Sequence, residues 1–163
     1  MKYRYLIFVL FMFGVCMSCK QIEDENHHNH ISFYNGSMSD IYVDFDIKYP
    51  DTTVTEMGIL QEPDIYKIHA HSSNEEALSL ATHDTFEAFF NGPNGKKFIP
   101  GDTLMVFVFD AEKLERRDLH IRNSVLVRYD LSLKDLQRLN WTLSYPPTEN
   151  MKQIKMWLNP DNM

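Results

Sequence analysis

Cysteine is nearly missing from this chain of 163 residues: it holds two, Cys16 and Cys19, and none follows. The body of the chain therefore folds without an internal disulfide and offers no thiol for catalysis or thiolate metal ligation. Positive charge is scarce as well. Sixteen Lys and Arg stand against 23 Asp and Glu, a net −7. Without a basic stripe to neutralise phosphates, nucleic acid is excluded as a partner. Glycine is rare, six in all, and none falls in a Gly-x-Ser-x-Gly or Walker spacing, which removes the serine-hydrolase elbow and the P-loop. No internal repeat and no low-complexity block is present.

Bulky apolar residues are abundant. Aromatics make up 13% of the chain, 11 Phe and 8 Tyr among them, which excludes a disordered chain and predicts a packed core. The length suits one domain.

Met1-Lys2-Tyr3-Arg4 precedes an apolar run from Tyr5 to Met17. A charged start and a short apolar stretch have the proportions of a secretory signal, and the run falls short of the roughly 20 residues that a spanning helix needs. Val15-Cys16-Met17-Ser18-Cys19 resembles the lipobox of bacterial lipoproteins, in which a cysteine after small residues is lipidated and becomes the new N-terminus. Ser18 supplies the small residue, so Cys19 is the expected lipidation site. The resemblance implies a membrane anchor, each buried methylene contributing about 0.8 kcal/mol. Lys20-Gln21-Ile22-Glu23-Asp24-Glu25 is similar to the acidic export signal of Bacteroidota lipoproteins. It implies an outer-membrane protein on the cell-surface side, with the periplasmic face as the alternative. Cleavage before Cys19 leaves 14 basic and 23 acidic residues, a net −9, so the mature chain would not adhere electrostatically to an anionic surface.

The expected organisation is a signal peptide over 1–18, a lipidated tether over 19–30, a folded domain over 31–147 and a tail over 148–163. In the domain, Ile41 to Lys48 alternates apolar and polar residues with the period of a strand that has one face on a core. Ile31 to Tyr34 is a shorter strand, joined to it through the turn signal Asn35-Gly36-Ser37. Val54 to Gln61 and Ile65 to His71 read as further strands. Thr103 to Phe109 is apolar on both alternating faces, which predicts a central strand. Val125 to Tyr129 and Trp141 to Tyr145 follow as strands, the last stopped by Pro146-Pro147. Asp84-Thr85-Phe86-Glu87 predicts a short helix over 85–91, ended by Gly92-Pro93, and Ser132-Leu133-Lys134-Asp135 is a capping box that opens another. Gly92 to Lys97 reads as a hairpin loop. The tail from Thr148 either caps the sheet or frays. Many short strands without alternating long helices predict a mostly β chain: an antiparallel β-sandwich, Ig-like in general architecture, with one or two short helices.

Two stretches carry a family likeness. They are Asp102-Thr103-Leu104 through Asp110, and Val125-Leu126-Val127-Arg128-Tyr129-Asp130-Leu131-Ser132-Leu133-Lys134-Asp135-Leu136 through Pro147. With Tyr49-Pro50-Asp51-Thr52, this pattern resembles the C-terminal signature of small, uncharacterised lipoproteins of gut Bacteroidales, over about residues 31–147. The resemblance implies no activity and carries no catalytic residues with it.

Seven histidines raise the question of metal. His27, His28 and His30 lie within four residues, and His69 and His71 fall on one face of a strand, yet a flexible segment lacks the outer partners that tighten a site. They are weak candidates, and the reading is of no metal and no cofactor. Asp44 and Asp46 are about 7 Å apart along one face of a strand, a separation known from glycosidases, but the alternation predicts that this face is solvated. A hydrolase with that acid pair is the lesser alternative to a chain that is not an enzyme. Tyr42, Tyr66, Trp141, Tyr145 and Trp157 offer sugar-stacking or protein-binding surfaces if exposed together. Asp51-Thr52-Thr53 and Asp102-Thr103-Leu104 resemble the short O-glycosylation acceptor of Bacteroidota. The expected role is binding or accessory structure with a protein or glycan partner, the alternative being a subunit of a surface assembly for glycans or fimbriae.

Overall fold

The computed structural model describes residues 27–54, 58–75, 77–80, 84–92, 97–116 and 120–159. The signal segment, Cys19, the acidic stretch after it, positions 55–57 of the strand expected over 54–61, and the middle of the 92–97 loop lie outside the described residues.

Among the described residues, eight strands fall into two sheets. The larger has the order β3-β2-β5-β6-β8 and is antiparallel throughout. Its strands are β2 (Ile41–Asp46), β3 (Lys67–Ile68), β5 (Leu104–Asp110), β6 (Val125–Leu131) and β8 (Lys155–Leu158). The smaller has the order β4-β1-β7, from β1 (Ser32–Asn35), β4 (Ser72–Asn74) and β7 (Thr142–Tyr145). Here β7 runs parallel to β1, so the arrangement is mixed where the sequence predicts antiparallel strands. The turn at Asn35-Gly36-Ser37, where a hairpin or a sandwich edge is natural, carries the chain from one sheet to the other, since β1 and β2 belong to different sheets. The tail contributes β8, paired with β6 at the edge of the larger sheet.

Two of the predicted strands are mostly something else. Ile65–His71 yields only the two residues of β3, preceded by the helical turn α1 (Pro63–Tyr66), and Gly58–Leu60 is a 3₁₀ turn. Tyr66, Ile59 and Leu60 of these segments pack on one face of the larger sheet, where covering matters more than pairing, while Ile68 packs on the other.

The predicted helix near 85–91 is α2 (Phe86–Asn91), but Thr85 rather than Asp84 is its N-cap, accepting from Ala88 N. Glu87 is thereby free of capping and reaches another partner, described below. Gly92 ends the helix at φ 67°, a conformation natural to glycine. Two short helices that the sequence does not signal, α3 (Ala111–Glu115) and α4 (Ile121–Ser124), join β5 to β6. Helix α5 (Leu133–Arg138) opens with the predicted capping box, the Ser132 and Asp135 side chains bonding each other's backbone N–H.

Strand β5 is buried on both faces, as its sequence requires. On one face Val106 and Val108 pack with Val43, Val127 and Tyr129, with Phe33 and Leu143 of the smaller sheet and Ile31 just before β1, and with Phe86 and Trp141. On the other, Met105, Phe107 and Phe109 pack with Tyr42, Ile59, Ala111, Leu114 and Val125. Burying each such side chain contributes about 1.5–3 kcal/mol. This second core corrects the reading of β2: the face that carries Asp44 and Asp46 is covered, leaving them 8% and 6% exposed. Among the described residues, no helix is long and apolar enough to cross a membrane.

Candidate functional site

The cover of the second face is incomplete toward β8. A cleft of about 500 Å³ opens there, within the range of small-ligand sites. Phe107 of β5 and Val125 of β6 line it, with Thr52, Thr53 and Val54 from the segment after β2, and His120, Ile121 and Arg122 from the start of α4. Arg128 and Trp157 complete the lining.

Sheet register explains this grouping. Asp44, Phe107, Arg128 and Trp157 are successive cross-strand partners on β2, β5, β6 and β8, so residues far apart in sequence form one row. The next row is Asp46, Met105, Asp130 and Lys155.

Arg128 is fixed in place. Its Nε donates to Asp130 Oδ1 at 2.7 Å and its Nη2 to Oδ2 at 3.1 Å, a two-pronged pairing in which both partners are largely buried. Lys155 Nζ stands 3.3 Å from the same carboxylate, so two cations share one anion. Arg122 is exposed and, among the described residues, makes no ion pair. Among the described residues the lining thus holds two arginines and a histidine and no acid, in a chain whose net charge is −7.

This arrangement suits recognition. A guanidinium offers paired N–H donors to a carboxylate or phosphate, the Trp157 indole offers an aromatic surface, and the threonine hydroxyls both donate and accept.

The residues singled out from sequence are distributed otherwise. Asp44 and Asp46 are on the face that the cleft opens from but do not line it. Burial pushes the Asp44 carboxyl up to about 6, and the like charge of Asp46 adds to this against one hydrogen bond from Phe45 N–H. Asp46 is satisfied by Lys48, whose backbone N–H donates at 2.8 Å. The acids therefore stand beneath packed cover instead of in solvent.

His28 is docked against the domain, and His30 forms an isolated bridge with Ser79. His69 Nδ1 pairs with Asp40 Oδ2 at 3.0 Å. Among the described residues no three His, Cys, Asp or Glu side chains are grouped to hold a metal ion. The aromatic set does not form one surface either: Tyr42 and Trp141 are buried, and Trp157 alone of the five lines the cleft.

Sequence reasoning missed Arg122 and Arg128. The signal for Arg128 was present, a charge inside Val-Leu-Val-Arg-Tyr-Asp followed two residues later by an acid that shares its face. Nothing in the sequence brings positions 52, 120, 128 and 157 together. No protein-family model matches the chain, and neither the curated proteins nor the solved structures hold a significant match to it.

Proposed function

We propose that this chain is an exported lipoprotein, related to the small lipoproteins of gut Bacteroidales that it resembles, and anchored through Cys19 to the outer membrane. Its folded part is a non-catalytic binding module built as an open β-sandwich, immunoglobulin-like in general architecture. The ligand is an acidic saccharide, its carboxylate received by Arg122 and its ring laid against Trp157. The observation that carries this reading is that, among the described residues, the cleft sets Arg122, Arg128 and His120 beside Trp157 without an acid. A neutral sugar would leave the arginine charge unused, and a simple inorganic anion would leave the aromatic wall unused.

Calorimetric titration with uronate-containing and matched neutral oligosaccharides tests the ligand. Binding of the acidic series, reduced at least tenfold by Arg122→Ala and by Trp157→Ala, supports it; equal binding of the neutral series overturns it. Membrane fractionation and proteinase treatment of whole cells, wild type against Cys19→Ala, test anchor and display. Release of the variant into the soluble fraction supports the anchor, and cleavage of the wild type on intact cells supports the surface side over the periplasmic face.

A second reading, an accessory subunit of a surface assembly for glycans or fimbriae, draws on β8, an outer strand with Leu158 half exposed. A hydrolase using Asp44 and Asp46 is disfavoured because neither acid reaches the cleft.

A further inference from the structure

Away from the cleft, the turn that follows β1 and the turn between β3 and β4 are tied together by one residue. Asn35 is fully buried at the end of β1. Its amide nitrogen donates to the carbonyls of Ser39, Ile68 and His69 at 2.8, 3.1 and 3.2 Å. Its Oδ1 accepts from the backbone N–H and hydroxyl of Ser37 at 3.0 and 2.7 Å. Both turns are therefore held in place from inside the fold, and so are the side chains they carry.

Two of those side chains meet on the outside. The sulfur of Met38 lies 3.1 Å from Nε2 of His71. Met38 is 84% exposed, an unusual setting for an apolar side chain that packs on no core. His71 holds a left-handed backbone, φ 55°, which costs a non-glycine residue about 1 kcal/mol or more. Beside them the Asp40 carboxylate fixes Nδ1 of His69 and accepts from Ala70 N–H at 3.1 Å, stiffening the same turn.

We propose that Met38 and His71 form a binding site for a soft monovalent cation, Cu(I). A thioether is a poor ligand for hard cations and a good one for Cu(I), and imidazole suits the same ion. Zn²⁺ in a structural site takes four ligands, and the described residues contain no cluster of three His, Cys, Asp or Glu to start one. A d¹⁰ monovalent ion is content with two or three donors. With bond lengths like those of zinc, about 2.0 Å to nitrogen and about 2.3 Å to sulfur, a linear two-donor ion needs the two atoms roughly 4.3 Å apart, so the exposed Met38 side chain swings outward by about 1 Å from its present 3.1 Å contact.

The test uses the full chain with Cys16→Ser and Cys19→Ser, so that no thiol competes. It is titrated anaerobically with Cu(I) against a chromogenic Cu(I) chelator, and the titration is repeated with Ag(I) as a redox-inert probe. The expected result is one equivalent withheld from the chelator, with affinity at least tenfold lower for Met38→Leu and for His71→Gln. A variant carrying His27→Gln and His30→Gln should bind as the parent does. Both tested side chains are exposed, and an unchanged melting curve shows that each variant folds. No withheld equivalent, or undiminished binding by either single variant, overturns the site and leaves the contact as an N–H···S hydrogen bond. Equal binding of Zn²⁺ through the same two side chains overturns the assignment to a soft cation.

Discussion

The His28 imidazole is stacked on the Trp141 indole, with ring centroids 4.1 Å apart and planes 14° from parallel. Trp141 is delivered to this place by the end of α5. Asn140 N–H bonds Gln137 O and Trp141 N–H bonds Leu136 O, the double closure of a Schellman turn, and both residues hold positive φ. On its other side His28 is clamped by Glu87, whose carboxylate lies 2.6 Å from Nδ1 and accepts from the backbone N–H at 3.0 Å. Within the segment expected as a lipidated tether up to residue 30, His28 is thus fastened to the domain.

His28→Ala should lower stability by about 2–4 kcal/mol, the sum of an aromatic stack and a hydrogen bond to a charged group. The loss has a local signature. The amides of Phe86 and Leu80 donate to His28 O and Asn29 O, so both should lose hydrogen-exchange protection while those of β5 keep theirs. Unchanged exchange at the two amides would show that the clamp contributes nothing.

Asp44 should make the protein more stable in mild acid than at neutrality. Its folded pKa, about 6, exceeds the ordinary 3.8, so the folded state binds the proton more tightly than the unfolded one. The stability penalty of ionising it is absent below about pH 4, grows as pH rises toward 6, and is constant above. The shift corresponds to a penalty of about 3 kcal/mol at pH 7. Asp44→Asn should flatten this part of the pH profile, read from urea midpoints at pH 4.5 and 7.5.

The two arginines of the cleft should separate by their effect on folding. Arg128→Ala leaves Asp130 buried with only Lys155 and should cost about 3 kcal/mol or more. Arg122→Ala, at an exposed position with no ion pair among the described residues, should change stability by less than about 0.5 kcal/mol. Denaturant titration of both variants checks the contrast, and it makes Arg122 the variant in which lost ligand binding is free of a folding defect.

The capping box of α5 gives a further measurement. Ser132→Ala should cost about 1 kcal/mol. Burial raises the Asp135 carboxyl, but its bonds to the Ser132 hydroxyl and N–H, aided by Arg138, outweigh this and hold it below 3.8. That contribution is present above the ordinary value and is lost as pH falls through the folded one. The difference between wild type and variant should therefore shrink in strong acid. A difference that stays constant down to pH 2 would assign the loss to the neutral hydrogen bond alone.

The strands whose side chains decide their own fate were legible in the sequence. The run Leu104–Phe109 is apolar on both faces and has nowhere stable to go except between two layers. The Ser132–Asp135 box and the Phe86–Phe90 spacing act within one helical turn, so local chemistry suffices for them. The alternation of β2 was read correctly as a strand but not as a surface, because periodicity reports that two faces differ and not what covers each. Asp44 and Asp46 are buried on the sheet face that carries the second core, to which Ile59 and Leu114 belong, and that cover depends on how the chain returns over the sheet. The cleft is the same case. Thr52, His120, Arg128 and Trp157 become neighbours only through the register of β5, β6 and β8 and the path of the segments beside them. Met38 and His71 meet only because Asn35 bonds both turns. Composition and local pattern determined a mostly β chain with a doubly covered central strand; the long-range pairing of strands, which no local preference encodes, decided where its charges gather.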